Sequence, residues 1–435
     1  MTGTIPASLG QLLNVTYLVL SYNRQLTGSI PTEISNLSML TELNLAHCSL
    51  TGTIPSSIGQ LYNLEVLLLN GNAELTGTIP MQLGDLRMLS SLHLDDCSFT
   101  GTIPSSLGQL NNIQILLLYG NSELTGSIPP AIGNLSVLYY LDLADCSLTG
   151  TIPSSLSQLN SLEYLFLYGN PELTGSIPAE LGNLNMLYYL DLDSCSLTGT
   201  IPSSIGQLHR LEGLWLYGNP ELTGSIPTEL GDLSMLYILN LDSCLLTGTI
   251  PDSLGNLTQL QYVTFYSNIL SGSIPTSIGE LTQLLELYLQ HNILTNSIPS
   301  SLSTMSKLMD VQLQNNKLSG NLYCIFNSNK QQYLSFVDVS DNQLTGYLPS
   351  EAFLLSKLNT FIAVSNCFSG TLPGVICNGT TMVSLILDGL QTATSCQQRL
   401  LPHTIFNSYN TLDSFNGQIP SCLFNMPKLI SLHLS

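Results

Sequence analysis

Residues 146–194 read CSLTGTIPSSLSQLNSLEYLFLYGNPELTGSIPAELGNLNMLYYLDLDS, and this 49-residue stretch decides the fold. Cysteines recur at the same interval on both sides of it, at Cys48, Cys97, Cys146, Cys195 and Cys244. A fixed period of this length is typical of tandem repeats that stack on one another instead of folding separately. The chain is therefore predicted to form one elongated domain, although its length of 435 residues would suit two or three globular ones.

Each 49-residue unit contains two shorter repeats, because Ile-Pro pairs recur at alternating steps of 25 and 24 residues. The extra residue lies in a loop, since two residues separate Asn170 from Leu173 but only one separates Cys195 from Leu197. Every short repeat reads LxxLxLxx(N or C)xLTGxIPxxLGxL. The alternating LxL predicts a short strand, and the Asn or Cys predicts a turn. Stacked coils would share one core and pair their strands in parallel about 4.8 Å apart.

This consensus resembles the leucine-rich-repeat family, specifically its plant-type subclass with the LTGxIP tail, over about fifteen repeats from Met1 to Pro373. The resemblance implies an α/β-type leucine-rich-repeat solenoid. This is a right-handed superhelix of horseshoe shape, with a parallel β-sheet on the concave face and mostly 3₁₀ or irregular segments on the convex side. We expect regular repeats over 1–373, an atypical repeat with an island-like insertion over 374–418, and a resumed, truncated repeat over 419–435. A decayed repeat accounts for the middle region equally well.

Both ends of the sequence fall inside a repeat. The opening MTGTIP has no strand before it, and Leu432 and Leu434 begin a strand that has no turn after it. We therefore expect a fragment of a longer extracellular chain. Neither a signal peptide nor a membrane anchor is present in these residues, and their absence is no argument for a cytoplasmic location.

Charge and motifs restrict the classes of function. Nine Lys and Arg residues against 29 Asp and Glu give a net charge of −20, which argues against nucleic acid and anionic lipid as partners and favours a basic or neutral one. No Walker loop, kinase signature or CxxC pair occurs, and His93 and Asp95 lack the spacing of metal ligands or a catalytic pair. We predict no enzyme, cofactor or metal site in this chain. A kinase beyond Ser435 follows only from family analogy.

The turn position of each repeat holds a small polar residue or Cys, which we expect to be buried and to satisfy turn backbone groups. The five cysteines of the 49-residue rhythm are predicted to be free thiols, because they lie about 9.6 Å apart and a disulfide needs Cα atoms within about 7 Å. An odd number of cysteines remains, which could pair in a secreted chain with at least one left over. These are Cys324, Cys367, Cys377, Cys396 and Cys422.

N-glycosylation sequons occur five times, and four of them share one part of the repeat, behind the Ile-Pro pair, where a bulky glycan is tolerated. The predicted sites are Asn14, Asn36, Asn134, Asn256 and Asn378.

Aromatic and acidic residues concentrate at the x positions around each LxL, which should point outward from the concave face. Exposed Tyr and Trp offer large contact areas at small entropic cost, so this face is the predicted binding surface. The competing explanation is that Tyr simply favours strands, but this does not account for the accompanying carboxylates. The predicted ligand-binding residues are Tyr119, Tyr139, Tyr140, Asp142, Glu163, Tyr164, Phe166, Tyr168, Tyr188, Tyr189, Asp191, Asp193, Glu212, Trp215, Tyr217, Tyr237 and Asp242.

We therefore predict an extracellular, non-catalytic recognition module that binds a protein, peptide or repetitive glycan, as the resemblance to cell-surface receptors implies. Secreted inhibitors of wall-degrading enzymes and protist surface antigens or adhesins share the repeat and remain alternatives. Equivalent positions recur about every 9.6 Å, so a repeating ligand such as a wall glycan or a basic polypeptide would gain avidity. Salt should weaken binding of a basic ligand but not of a glycan.

Overall fold

The computed structural model describes residues 1–387 and 419–434. Two compact units divide the chain, Met1–Leu222 and Thr223–Ser435, and we describe each by itself. In both units the LxL segments are short strands. Each Ile-Pro pair is followed by a 3₁₀ helix, as at Ser154–Gln158, in which an N–H bonds to the carbonyl oxygen three residues earlier. The Pro before the helix has an extended conformation. The predicted combination of a parallel sheet with 3₁₀ segments is confirmed.

The main sheet of the first unit is built from the LxL strands, each of which pairs in parallel with the next. Its strands are Tyr17–Val19, Glu42–Asn44, Val66–Leu68, Ser91–His93, Ile115–Leu117, Tyr140–Asp142, Tyr164–Phe166, Tyr189–Asp191 and Gly213–Trp215. The central Leu of each strand points into the core, so the residues on either side of it point outward. We call this outward surface the main-sheet face.

Second-sheet strands follow the turn of each repeat in the first unit and also pair in parallel. They are Thr2–Thr4, Gln25–Gly28, Ser49–Leu50, Thr76–Thr78, Ser98–Thr102, Leu124–Gly126, Ser147–Leu148, Gly150–Thr151, Leu173–Ser176 and Ser196–Thr200, and Glu221–Ser225 continues into the second unit. The 3₁₀ helices of the first unit are Ala7–Gln11, Thr32–Asn36, Ser56–Gln60, Met81–Asp85, Ser105–Gln109, Pro130–Asn134, Ser154–Gln158, Ala179–Asn183 and Ser203–Gln207.

The second unit repeats this arrangement. Its main-sheet strands are Ile238–Asn240, Tyr262–Thr264, Glu286–Tyr288, Asp310–Gln312, Phe336–Asp338, Thr360–Ile362, Ser384–Ile386 and Ser431–His433. Its second-sheet strands are Leu245–Thr247, Ser319–Gly320, Gln343–Gly346 and Cys367–Phe368. Its 3₁₀ helices are Thr228–Asp232, Asp252–Asn256, Thr276–Glu280, Ser300–Thr304, Ser350–Leu354, Gly374–Asn378 and Ser421–Asn425. Strands Ser384–Ile386 and Ser431–His433 pair directly, so the strands before and after residues 388–418 are neighbours. The predicted island falls largely on those residues, outside the described part of the chain.

Buried Asn side chains tie successive repeats together at the turn position. Asn170 is fully buried, and its Oδ1 accepts a hydrogen bond of 3.0 Å from the Leu148 N–H. Its Nδ2 donates to the carbonyl oxygens of Leu143 and Leu167, at 2.9 and 2.8 Å. In the second unit Asn292 bonds in the same way to the Leu270 N–H and the Phe265 carbonyl. The prediction that these side chains satisfy turn backbone groups is confirmed.

The five cysteines of the 49-residue rhythm are buried and form no disulfide, as predicted. Burial raises the pKa of Cys97 and Cys195 to about 12 and that of Cys146 to about 11, so these thiols stay protonated and unreactive at neutral pH. Of the later cysteines, Cys377 and Cys422 form a disulfide. Cys367 is also disulfide-bonded, Cys324 is free and exposed, and Cys396 lies outside the described residues.

Candidate functional site

The predicted ligand-binding residues of the first unit all lie on the main-sheet face or at its edges. Most of them are half-buried, because neighbouring side chains cover one another. Asp142 and Asp193 are buried more deeply, with 6% and 5% of their surface exposed. The structure therefore brings these side chains together into one layer on the sheet and does not leave them as separate exposed groups.

Four aromatic rings form a continuous stack across four neighbouring strands, which we call the aromatic stack: Tyr140, Tyr164, Tyr189 and Trp215. Ring centroids lie 4.9 Å apart between Tyr140 and Tyr164, 5.5 Å between Tyr164 and Tyr189, and 5.9 Å between Tyr189 and Trp215. The first three rings stand at register-matched positions of adjacent strands. Phe166 packs edge-on against Tyr140, with centroids 5.6 Å apart. Offset stacks of this kind stabilise the sheet by cross-strand packing.

The fourth ring of the aromatic stack comes from an unexpected position. Register places Gly213 opposite Tyr189, and Trp215 opposite Asp191. A Cβ atom on Gly213 would overlap ring atoms Cη2 and Cζ3 of Trp215. The indole therefore folds back over its own strand and fills the space that the glycine leaves open. The stack continues only because residue 213 has no side chain.

Polar groups lie beside the aromatic stack. The Tyr189 hydroxyl donates a hydrogen bond of 2.9 Å to Oε2 of Glu212, and the Arg210 guanidinium donates to the Tyr188 hydroxyl at 3.4 Å. Arg210 was not among the predicted site residues. It is the one Lys or Arg residue in the sequence between Tyr119 and Tyr217, and the 49-residue period gives no signal for it.

Carboxylates gather where the main-sheet strands end. Burial, reinforced by the charges of Asp95 and Asp145, raises the pKa of Asp142 to about 7. Burial and the adjacent Asp193 also raise the pKa of Asp191. The pKa of Tyr168 rises to about 12, because the ring is partly buried and negative charges surround it. Burial is the main cause of these raised pKa values and neighbouring negative charges add to it, so a positive group placed here would stabilise the charged carboxylates.

Asp95 belongs to this acidic set but was not among the predicted site residues. Only 2% of its surface is exposed, and its Oδ1 atom has no hydrogen-bond partner in the described part of the chain. Burial raises its pKa, and its charge contributes to the raised pKa of Tyr119. The sequence contained a usable signal, since Asp95, Asp193 and Asp242 stand at multiples of 49 residues from one another.

Two predicted site residues, Tyr237 and Asp242, lie in the second unit. Tyr237 is half-buried, and Asp242 is buried. Asp242 accepts hydrogen bonds from the hydroxyls of Thr264 at 3.2 Å and Ser243 at 3.3 Å, and burial raises its pKa. A separate Tyr–Asp pair occurs further along this unit, where the Tyr288 hydroxyl donates to Oδ2 of Asp310 at 3.0 Å.

All five predicted glycosylation residues are exposed. Four of them are the last residue of a 3₁₀ helix, away from the main-sheet face, namely Asn36, Asn134, Asn256 and Asn378. Within residues 1–387 and 419–434, no cluster of three or more His, Cys, Asp or Glu side chains is arranged to hold a metal ion. In the same residues, no helix is long and apolar enough to cross a membrane.

Comparison with solved structures identifies the family. The ectodomain of the Arabidopsis receptor kinase HAESA, in complex with an N-terminally extended IDA peptide hormone, matches with a TM-score of 0.82. The match has 33% sequence identity and covers 100% of this chain and 68% of that chain. The chain belongs to the leucine-rich-repeat family.

Further comparisons agree with this assignment. Leucine rich repeat profiles match residues 136–197 and residues 39–61, 88–110, 235–257 and 283–305. The plant peptide hormone receptor RGFR1 in complex with RGF2 matches this leucine-rich-repeat chain with a TM-score of 0.77 and 29% identity, over 100% of this chain and 76% of that one. A leucine-rich-repeat protein of Leptospira interrogans matches with a TM-score of 0.67 and 30% identity, over 91% and 96%. No curated protein sequence matches significantly.

Proposed function

We propose that this leucine-rich-repeat chain is an extracellular, non-catalytic recognition module that binds a basic peptide or protein segment on the main-sheet face of its first unit. The observation that carries the proposal is the aromatic stack from Tyr140 to Trp215 with buried carboxylates beside it. Two of the similar structures, HAESA and RGFR1, are receptors in complex with peptide hormones, which supports a peptide ligand here.

The arrangement of the rings favours a peptide over a glycan on this face. A sugar ring packs on an open aromatic face, but Tyr164 and Tyr189 each have a stacked neighbour on both sides. Ring edges and hydroxyl groups remain available to a ligand, together with the carboxylates. These groups bind donors such as peptide N–H, Lys and Arg.

Charge specifies the ligand further. Arg24, Arg87 and Arg210 are the only Lys or Arg residues in the sequence of the first unit, and Arg87 is already bonded to Gln109. The carboxylates around Asp142 and Asp191 are therefore uncompensated. A bound ammonium or guanidinium group would relieve their mutual repulsion and would be attracted over a range of about 8 Å at physiological ionic strength.

An extracellular location is part of the proposal. It is supported by the five exposed sequons, by the disulfide between Cys377 and Cys422, and by the plant receptor ectodomains that the chain resembles. Expression in a secretory host followed by peptide mapping should find glycans on Asn36, Asn134, Asn256 and Asn378. A chain that leaves that host with all of its sequons unmodified would contradict this part of the proposal.

The binding proposal is tested with the single Trp of the chain as the reporter. A synthetic peptide of alternating Lys and Gly should change Trp215 emission at low salt and bind much more weakly at high salt. A matched peptide of alternating Gln and Gly is the control and should bind weakly at both salt concentrations. Equal binding of the two peptides would contradict a basic ligand. Binding of a soluble neutral glycan that shifts Trp215 emission and persists at high salt would assign the face to a glycan instead.

A further inference from the structure

Each repeat of the first unit carries one hydroxyl residue at the position before Ile-Pro, either in a second-sheet strand or shortly after one. We call these residues the hydroxyl file: Thr4, Ser29, Thr53, Thr78, Thr102, Ser127, Thr151, Ser176 and Thr200. All of them are exposed. Strand pairing places each member opposite the residue two positions before the next member, since Thr102 pairs with Thr125 and Thr151 pairs with Thr174. Successive members are therefore offset along the strands as well as separated by one strand spacing of about 4.8 Å. Thr or Ser occupies this exposed position throughout the unit.

Other hydroxyls on the second-sheet strands are already used by the fold. Thr76, Thr125 and Thr174, two residues before the corresponding members of the hydroxyl file, donate to the carbonyl oxygens of Gly52, Gly101 and Gly150, at 3.2, 3.0 and 3.1 Å.

Within residues 1–222, the hydroxyls of the file make no such bond to the protein. Their donors and acceptors are free to meet a ligand.

Contacts with glycine hold the hydroxyl file in place. The Thr151 methyl group would lie 2.7 Å from a Cβ atom on Gly175, and the Thr53 methyl group would lie 2.6 Å from one on Gly77. Both glycines have positive φ, of 77° and 78°, which side-chain-bearing residues rarely adopt. Each methyl group thus packs over the next repeat and restricts the Thr rotamer. The Thr hydroxyls of the file are therefore preorganised, which lowers the entropic cost of binding.

Open grooves run beside the hydroxyl file. One has a volume of about 900 Å³ and is lined by Thr151, Ser176 and Thr200 on one side and by Pro153, Pro178 and Pro202 on the other. A second groove, of about 660 Å³, repeats the arrangement with Thr53, Thr78 and Thr102 opposite Pro55, Pro80 and Pro104. Hydroxyls therefore face proline rings along both grooves, with the same residue types in successive repeats.

We propose that the hydroxyl file and the grooves beside it bind a linear, uncharged polysaccharide that runs along the repeats. Such a chain presents alternating hydroxyl and C–H surfaces, which match the hydroxyl and proline walls. Each repeat contributes one hydroxyl of the file, so successive repeats can contact the polymer at successive points along it. Individual contacts are weak and add up along the polymer.

Charge and shape select this ligand over others. The file itself is uncharged in a chain of net charge −20, so a neutral polymer meets no repulsion, whereas an acidic polysaccharide is repelled. The walls form a groove and not a plane, which suits a chain better than the flat surface of a crystal such as ice. This site is separate from the main-sheet face and does not depend on the function proposed for it.

The test uses two triple variants of the full chain with equal loss of hydroxyls. Thr53→Val, Thr78→Val and Thr102→Val together remove three free hydroxyls from one groove. Thr76→Val, Thr125→Val and Thr174→Val together remove three that are bonded to backbone. Affinity electrophoresis in gels containing a soluble mixed-linkage β-glucan measures binding, with polygalacturonate as the acidic comparison. Circular dichroism checks that both variants fold.

We expect the intact chain to be retarded by the β-glucan and not by polygalacturonate. The first triple variant should bind about tenfold more weakly, because three modest hydrogen bonds are lost, and the second should bind like the intact chain. Trp215→Ala should also bind normally. Equal losses in both triple variants, or no retardation of the intact chain, would overturn the proposal. Ice shaping by the intact chain that the first variant lacks, without β-glucan binding, would assign the file to ice and also overturn it.

Discussion

On the main-sheet face of the first unit the outward side chains touch one another, whereas on its second-sheet strands they stand apart. Tyr164 stacks on the rings of two neighbouring strands, and Asp142 is almost buried among other carboxylates. Thr151, by contrast, keeps an exposed hydroxyl. Both surfaces are built on the same coils and the same core. The outward positions do not form the core, so their residues can vary with function. Large side chains at these positions form a packed layer, whereas small ones form a row of separate groups.

The largest effect is expected from a substitution of a buried Asn, because the buried Asn side chains support both surfaces. Asn170→Ala would remove buried hydrogen bonds from the Leu148 N–H and from the carbonyl groups of Leu143 and Leu167. We expect a loss of about 3 kcal/mol in unfolding free energy, measured by urea denaturation. Asn160→Ala, at an exposed position, is the matched control and should cost less than about 0.5 kcal/mol. Similar midpoints for the two variants would contradict a structural role for the buried Asn.

Trp215→Ala tests whether the main-sheet face and the hydroxyl file bind their ligands independently. It shortens the aromatic stack and should weaken binding of the Lys–Gly peptide about tenfold, through lost contact area and cation–π attraction. Because this variant lacks the fluorescent reporter, calorimetry measures its affinity. Binding of β-glucan should be unchanged. If both ligands are lost together while the fold persists, the two surfaces do not act independently.

Gly213→Ala tests how the main-sheet face is packed. The new methyl group would overlap the Trp215 indole and displace it from Tyr189. We expect red-shifted Trp emission, weaker near-ultraviolet dichroism and a loss of about 1 kcal/mol in stability. Ser203→Ala, at an exposed position in a 3₁₀ helix away from this face, is the control and should leave the emission unchanged. Identical spectra for the two variants would contradict the packing of the indole over residue 213.

The smallest expected effect concerns pH. Burial raises the pKa of Asp142 to about 7, so its carboxyl group becomes charged as pH rises through that value. Attraction to a basic ligand grows with the charge, so affinity for the Lys–Gly peptide should increase about threefold between about pH 6 and about pH 8.

Asp142→Asn should flatten this pH dependence, and calorimetry at several pH values measures it. Stability should change in the opposite sense. The folded chain holds a proton that the unfolded chain releases near pH 4, so stability contributed by this group is lost as pH rises from about 4 to about 7. A peptide affinity that falls over the upper range would contradict the assignment.

Most of the fold was predictable because its signals are local. The LxL strands, the 3₁₀ segment after each Pro and the buried Asn at the turn all recur with one period. The outward direction of Tyr140, Tyr164 and Tyr189 was predictable for the same reason, since side chains alternate along a strand. The disulfide between Cys377 and Cys422 was not, because its partners lie 45 residues apart in sequence and no periodicity relates them.

The sequence alone determined the repeat, its parallel strands, the free thiols and the face on which aromatic and acidic residues lie. Each of these follows from spacing along the chain. Only the tertiary structure decided that the Trp215 ring occupies the space over Gly213, that Asp95 is buried, and that hydroxyls two residues apart, such as those of Thr174 and Ser176, differ in their bonding. These features depend on which side chains of neighbouring repeats meet across the sheet. Stacking brings residues about 24 positions apart into contact, and rotamers settle only when all of them are in place.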